Sequence, residues 1–182
     1  GKPSLSKLML EFLILTAARS GEVRCMSWAE IDFETSTWTV PASRMKAKTD
    51  HRVPLSARAM EILAHQKETI NGEEVVFPSV RGKVPSDAML SKFLRDNRVK
   101  SSDPNRTATP HGFRSSFRDW ASENEYPRDF AERALAHTIK NAAEAAYHRT
   151  DLLDQRRNMM DAWATFVCGL GVKTNVISIR GH

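Results

Sequence analysis

Leu5, Leu8, Met9, Phe12, Leu13 and Thr16 recur at helical spacing, and Leu10, Ile14 and Leu15 make the opposite face apolar as well. A helix that is apolar all round is expected in the interior, with other elements packed around it. The small-residue run Thr16-Ala-Ala-Arg-Ser-Gly21 breaks this pattern, and Glu22 to Trp28 is again helical in spacing. Thr37-Trp-Thr-Val40 and His51-Arg-Val-Pro-Leu55 alternate as short strands do, which predicts a hairpin connected through Pro41 to Asp50. Ser56 is placed to cap a helix that runs to about Ile70 and stops at Asn71-Gly72. Val75-Val-Phe77 is a short strand or extended piece stopped by Pro78, and Ser86 to Val99 is helical. Thr109-Pro110, a hydroxyl followed by proline, opens a helix to about Glu123. Further helices are expected at Pro127 to about Ala136, at Asn141 to His148 and at Asp151 to Val167. The last carries an apolar stripe of Leu152, Leu153, Met159, Met160, Trp163, Phe166 and Val167. The fold class is therefore α+β, mainly α, with helices around a small antiparallel sheet.

A chain of 182 residues is long enough for one domain with a real core. Its 41% hydrophobic and 27% charged residues exclude repeat arrays, collagen-like folds and wholesale disorder. The longest apolar stretch, Leu8 to Ala18, contains Glu11 and is too short to cross a bilayer. No secretory leader pattern is visible. Cys25 and Cys168 form no CxxC and are expected as free thiols in a reducing compartment. The net charge of +5 permits nucleic-acid binding without requiring it. Its distribution is more informative: Arg44, Lys46, Lys48, Arg52 and Arg58 are opposed between residues 44 and 58 only by Asp50.

Several short segments carry chemistry. In Thr109-Pro-His-Gly-Phe-Arg114, His111 and Arg114 share one face near a helix N-terminus, where free N–H groups and the dipole favour an anion. The same residues also suit a histidine packed on a turn and a surface arginine. Arg19 and Glu22 are three apart among small neighbours, so a ligand can approach Arg19 while Glu22 holds it from behind; a plain capping pair fits equally. Tyr126 precedes a proline and reads as turn packing, whereas Tyr147 follows an alanine-rich stretch ten residues after His137. Lys46 and Lys48 sit at a hairpin tip, where solvated charge is the ordinary explanation. Each segment alone is weak.

Together they are specific. Arg19 with Glu22, Lys46, His111-x-x-Arg114, His137 and Tyr147 occur in an order that resembles the tyrosine recombinase, or phage integrase, catalytic domain. The flanking text matches too: Leu13-Ile-Leu-Thr-Ala-Ala-Arg-Ser-Gly-Glu-Val23, Trp28-Ala-Glu-Ile-Asp32, Arg44-Met-Lys46, His51-Arg-Val-Pro-Leu-Ser56, Ala146-Tyr-His-Arg-Thr-Asp151 and Arg156-Arg-Asn-Met-Met-Asp-Ala-Trp163. These look like the prophage and genomic-island branch, and the resemblance spans about residues 5 to 168.

The resemblance implies site-specific DNA recombination through a covalent 3′-phosphotyrosine, without metal, cofactor or ATP. The catalytic set would be Arg19, Lys46, His111, Arg114, His137 and Tyr147, with Glu22 supporting; Lys48 is the alternative to Lys46. Arg44, Lys48, Arg52, Arg95 and Arg98 would contact double-stranded DNA. Residues 1–168 would form the catalytic domain, and 169–182 a tail, flexible or docked on a neighbouring protomer. No counterpart of the family's N-terminal domains is present and the chain begins with Gly1, which points to a fragment. The full-length protein would act as a tetramer on DNA and the isolated domain as a monomer, in the bacterial cytoplasm at the nucleoid and without a membrane. Alternative functions are a type IB topoisomerase and a catalytically silent DNA-binding module.

Overall fold

The protein is described from a computed structural model that covers residues 3–70, 72–137 and 151–169. The expected helix at 141–148, Tyr147 within it, and the tail from residue 170 onward lie outside the described residues.

The apolar N-terminal segment forms α1 (Leu5–Thr16), capped by Ser4, whose side chain accepts from the Lys7 N–H at 3.3 Å. Leu8, Phe12, Leu13 and Leu15 are all buried, and α1 packs against the short α2 (Ser20–Arg24) and against three later helices. The second helix starts earlier and ends sooner than its spacing implied. Met26 is fully buried and its carbonyl accepts from Val76 (2.9 Å), so residues after Cys25 pair with the chain near Phe77 instead of continuing a helix.

The hairpin forms as β2 (Thr37–Val40) against β3 (His51–Pro54), antiparallel, with Trp38 opposite Val53 and Val40 opposite His51. A two-residue strand, β1 (Ile31–Asp32), pairs with the other edge of β2 and gives a three-stranded sheet in the order β1-β2-β3. This strand was not expected. Its turn is closed by Asp32 Oδ1, which accepts from the Glu34 and Thr35 N–H groups at 2.9 and 3.1 Å. Across the β2–β3 connection, Asp50 Oδ1 accepts from the Ala42 N–H at 2.8 Å, and Met45 is buried in the core.

Four helices follow: α3 (Ala57–Thr69), capped by Ser56, then α4 (Ala88–Asp96), α5 (Gly112–Glu123) and α6 (Arg128–Ala134). Regular α5 begins two residues after the expected proline, with His111 at its N-cap; Thr109 closes the turn that leads into it, its hydroxyl accepting from the Gly112 N–H at 3.1 Å. The long α7 (Leu153–Val167) closes the structure. One core cluster gathers α1, β2, β3, α3 and α4; a second gathers α5, α6 and α7, and Ile14 and Val167 pack on both. The Trp163 indole N–H donates to the Ile14 carbonyl (2.7 Å), joining the two where α1 ends. Of the expected stripe, Met159, Met160 and Trp163 are buried and Leu152, Leu153 and Val167 half-buried, while Phe166 is 60% exposed.

Phe12→Ala should lower the unfolding free energy by about 3–5 kcal/mol, since a fully buried ring leaves a cavity among packed neighbours. Phe166→Ala should cost less than about 1 kcal/mol, as expected for a largely exposed side chain. Urea denaturation of both variants measures the difference.

Candidate active site

Two helices that end in left-handed alanines define the floor of the site. Ala17 (φ 51°) closes α1, and Ala136 (φ 49°) follows the end of α6. After α6 the His137 N–H bonds the Glu132 carbonyl at 2.9 Å and the Ala136 N–H bonds the Arg133 carbonyl at 3.0 Å. This paired closure satisfies the helix's own carbonyls and leaves those of Leu135 and Ala136 for other donors.

Arg114, in the first turn of α5, takes up one carbonyl from each helix end. Its Nη1 donates to Ala17 at 2.5 Å and its Nη2 to Leu135 at 2.6 Å, with only 4% of the residue exposed. Arg19 lies just beyond α1, and its Nη2 donates to the Leu135 and Ala136 carbonyls, each at 3.4 Å. The negative ends of two helices thereby hold two guanidinium groups together against their mutual repulsion. Glu22 completes the arrangement. One carboxylate oxygen accepts from Arg19 Nη1 at 2.7 Å and the other from the Arg19 backbone N–H at 2.9 Å.

Arg19, Ser20, Gly21, Glu22, Arg44, Pro110, His111 and Arg114 line one cleft of about 380 Å³. The start of α5 borders it, so His111 stands beside backbone N–H groups at the positive end of a helix. Ser20 and Gly21 border the cleft, whereas Ala17 and Ala18 are buried in the core behind it. His137 lies next to Arg114: its Nδ1 is 2.6 Å from Glu132 Oε2 and its Nε2 is 3.5 Å from Arg114 Nη2.

Other expected residues lie elsewhere. Lys46 and Lys48 are exposed on the β2–β3 connection, next to the buried Met45 and outside the cleft lining. Arg95 and Arg98 are exposed at the end of α4. Arg52 forms a two-point ion pair with Asp151, at 2.7 Å for both bonds. Tyr147 lies outside the described residues. Tyr126 stacks on Trp120 with ring centroids 5.3 Å apart.

Two features of the site escaped sequence reasoning. Arg44, expected on the DNA-facing connection, is the third arginine of the cleft. It donates to the Glu22 carbonyl at 3.1 Å and pairs closely with Glu30, which also accepts from the Trp38 indole at 2.9 Å. The second feature is His51. Burial, reinforced by the charge of Arg156, pulls its pKa down to about 4, against the opposing pull of Glu22. The strand alternation that pairs His51 with buried Val53 on one face was the available signal. Arg114 is also pulled down, to about 10, first by burial and then by Arg19, with Glu22 opposing. An anion in the cleft would offset the repulsion from Arg19. Among the described residues no group of three or more His, Cys, Asp or Glu side chains could hold a metal ion, and no helix is long and apolar enough to cross a membrane.

Helices around a short antiparallel sheet, with this cleft where α1, α5 and α6 meet, constitute the catalytic-domain fold of tyrosine recombinases. The lambda integrase catalytic core superposes with a TM-score of 0.57 over 78% of this chain and 84% of its own, at 24% identity. XerA recombinase does so with a TM-score of 0.58 over 85% and 62%, at 17% identity. The chain belongs to the phage integrase family, whose profile matches residues 2–152. The prophage integrase IntA of Escherichia coli (strain K12) is 40% identical over 96% of this chain and 43% of its own length. The integrase of Enterobacteria phage P4 is 33% identical over 90% and 40%. The chain thus spans about two fifths of these curated relatives.

His51 makes stability depend on pH. Its pKa is about 4 folded and near the ordinary 6.5 unfolded, so between those values the unfolded chain binds more protons. Stability should therefore fall as pH drops from 6.5 towards 4, by up to about 3 kcal/mol from this residue. His51→Gln should remove that part of the slope, read as the difference between urea midpoints at about pH 4.5 and 7.

Proposed function

We propose that this chain is the catalytic domain of a site-specific DNA recombinase that cuts and rejoins strands through a 3′-phosphotyrosine at Tyr147. The observation that carries the reading is the cleft itself. Arg19 and Arg114 converge there with His111 at a helix N-terminus, and His137 adjoins Arg114. Residues up to about 168 form this domain.

The chemistry follows from charge. A phenol with a pKa near 10 costs about 4 kcal/mol to ionise at pH 7, and neighbouring cations offset part of this. As the Tyr147 oxygen attacks phosphorus, negative charge grows on the non-bridging oxygens, where forked donors from Arg19 and Arg114 bind it. The bond from phosphorus to the 5′-oxygen breaks, and Lys46 gives that oxygen a proton. His111 and His137 act as further donors or proton carriers. Glu22 fixes Arg19 and takes no part in bond making. The phosphotyrosine conserves the bond energy, so attack by the 5′-hydroxyl of another strand rejoins DNA without ATP. Guanidinium groups here do the charge stabilisation that a metal does elsewhere.

Double-stranded DNA is the expected partner. Lys48, Arg95 and Arg98, all exposed, are suited to phosphate contacts; Arg44 and Arg52 are committed to Glu30 and Asp151. Lambda integrase, which shares the fold, is solved as a tetramer bound to a Holliday junction, which supports tetrameric action by the full-length protein here. Such a protein acts on the chromosome, in the bacterial cytoplasm.

A pool of nicked duplexes of random sequence, in which cleavage releases a short fragment and traps the intermediate, tests the reading. Wild type should form a covalent adduct mapping to Tyr147, and Tyr147→Phe should form none. An adduct at Tyr126, or none with wild type, would defeat it. Strand exchange between two recovered duplexes, as opposed to relaxation of supercoils alone, separates recombinase from topoisomerase.

A further inference from the structure

Outside the cleft, a second charged cluster ties the start of α7 to the sheet. Arg52, on β3, grips the Asp151 carboxylate through Nε and Nη2, both at 2.7 Å. Arg156, on α7, donates Nε to the Asp151 carbonyl at 2.7 Å and Nη2 to the Arg52 carbonyl at 2.9 Å, with Asp151 Oδ2 at 3.5 Å. Arg156 is 1% exposed, and its Nη1 has no hydrogen-bond partner among the described residues. Between Asp151 and the helix, Leu152 is forced into a left-handed conformation (φ 52°).

Stability alone is a poor account of this cluster. The side chains of Arg52 and Asp151 are 50% and 37% exposed, and pairs so wet contribute little. Burying Arg156 is itself unfavourable, and burial pulls its pKa down to about 10 although Asp151 opposes the shift. Such groups are well suited to fixing one register between two pieces of chain. The pieces joined are informative. Asp151 is four residues after Tyr147, and β3 directly follows the connection that carries Lys46. On the other side of Tyr147, His137 is held at Glu132 and Arg114.

We propose that Arg52, Asp151 and Arg156 form a latch that positions Tyr147 for attack by fixing the chain just after it to the strand behind the hairpin lysine. The three are positioning residues, and Arg52 serves here instead of as a phosphate contact. The inference rests on Tyr147 being the nucleophile.

The test uses the 182-residue chain and the duplex sequence recovered by covalent trapping, with single-turnover cleavage at saturating DNA, DNA affinity and melting temperature measured together. Arg52→Met and Asp151→Asn should each slow cleavage about tenfold or more, as a misplaced reacting group does. The double variant should be no slower than the worse single one, Asp151→Glu should recover part of the rate, and affinity should stay within about twofold. The latch is overturned if cleavage is unchanged, or if the loss follows the fraction unfolded. It is also overturned if Arg52→Met weakens binding with a salt slope shallower by about one while Asp151→Asn cleaves normally, the signature of a phosphate contact. Absence of any wild-type adduct defeats the nucleophile assignment, and the latch with it, before a variant is made.

Discussion

The cleft depends on one buried guanidinium. Arg114 is 4% exposed and spends two donors on backbone carbonyls, one at the end of α1 and one at the end of α6. Loss of that group would leave the Ala17 carbonyl without its donor and the Leu135 carbonyl with only the longer bond from Arg19, in a nearly dry site. The same two helix ends bring in the other parts: Arg19 and Glu22 follow α1 directly, and His137 follows α6. One side chain from α5 thus aligns three stretches that are distant in sequence, and does so at the place where an anion would sit.

Charge balance around this point is local. Arg19 answers to Glu22 and Arg44 to Glu30, while among the described residues Arg114 has carbonyls and no carboxylate of its own. His51, near Glu22, Arg19 and Arg156, stays neutral because burial and two cations disfavour its charged form. The arginines are therefore oriented in advance but not fully neutralised, which is the condition under which a bound phosphate gains most from them. Outside the cleft the Arg52–Asp151–Arg156 cluster uses the same residue types to join the start of α7 to β3.

Much of the fold was legible along the chain. The apolar stretch from Leu5, the Thr37–Val40 and His51 alternation, the Ser56 cap and the Thr109-Pro110 start each carry a local signal, and each yields its element. Local signals were missing or misleading elsewhere. The strand at Ile31–Asp32 is two residues long and has no period to read; a side-chain turn at Asp32 makes it. The chain after α1 and α6 turns at Ala17 and Ala136, where alanine occupies a conformation that favours glycine, so the sequence marks where these helices stop but not the left-handed turn that stops them. The break between Arg24 and the short 3-10 turn at Trp28–Glu30 has no local signal, because pairing with the chain after Ile70 makes it.

For the site, the resemblance to the tyrosine recombinase signature pointed to Arg19, Lys46, His111, Arg114, His137 and Tyr147 as candidates, because residues spread along a chain retain their order however it folds. Order also picked out Glu22, three residues from Arg19 and within reach on the same turn. Tertiary structure decided how these groups are used. Arg44 enters the cleft and pairs with Glu30, and Arg52 pairs with Asp151, a choice made by which carboxylate the folded chain brings within reach. His51 is neutral, a consequence of burial that no sequence window contains. Sequence determines which groups are present and which short elements carry them; desolvation and long-range carbonyls, which exist only after packing, determine what each group is able to do.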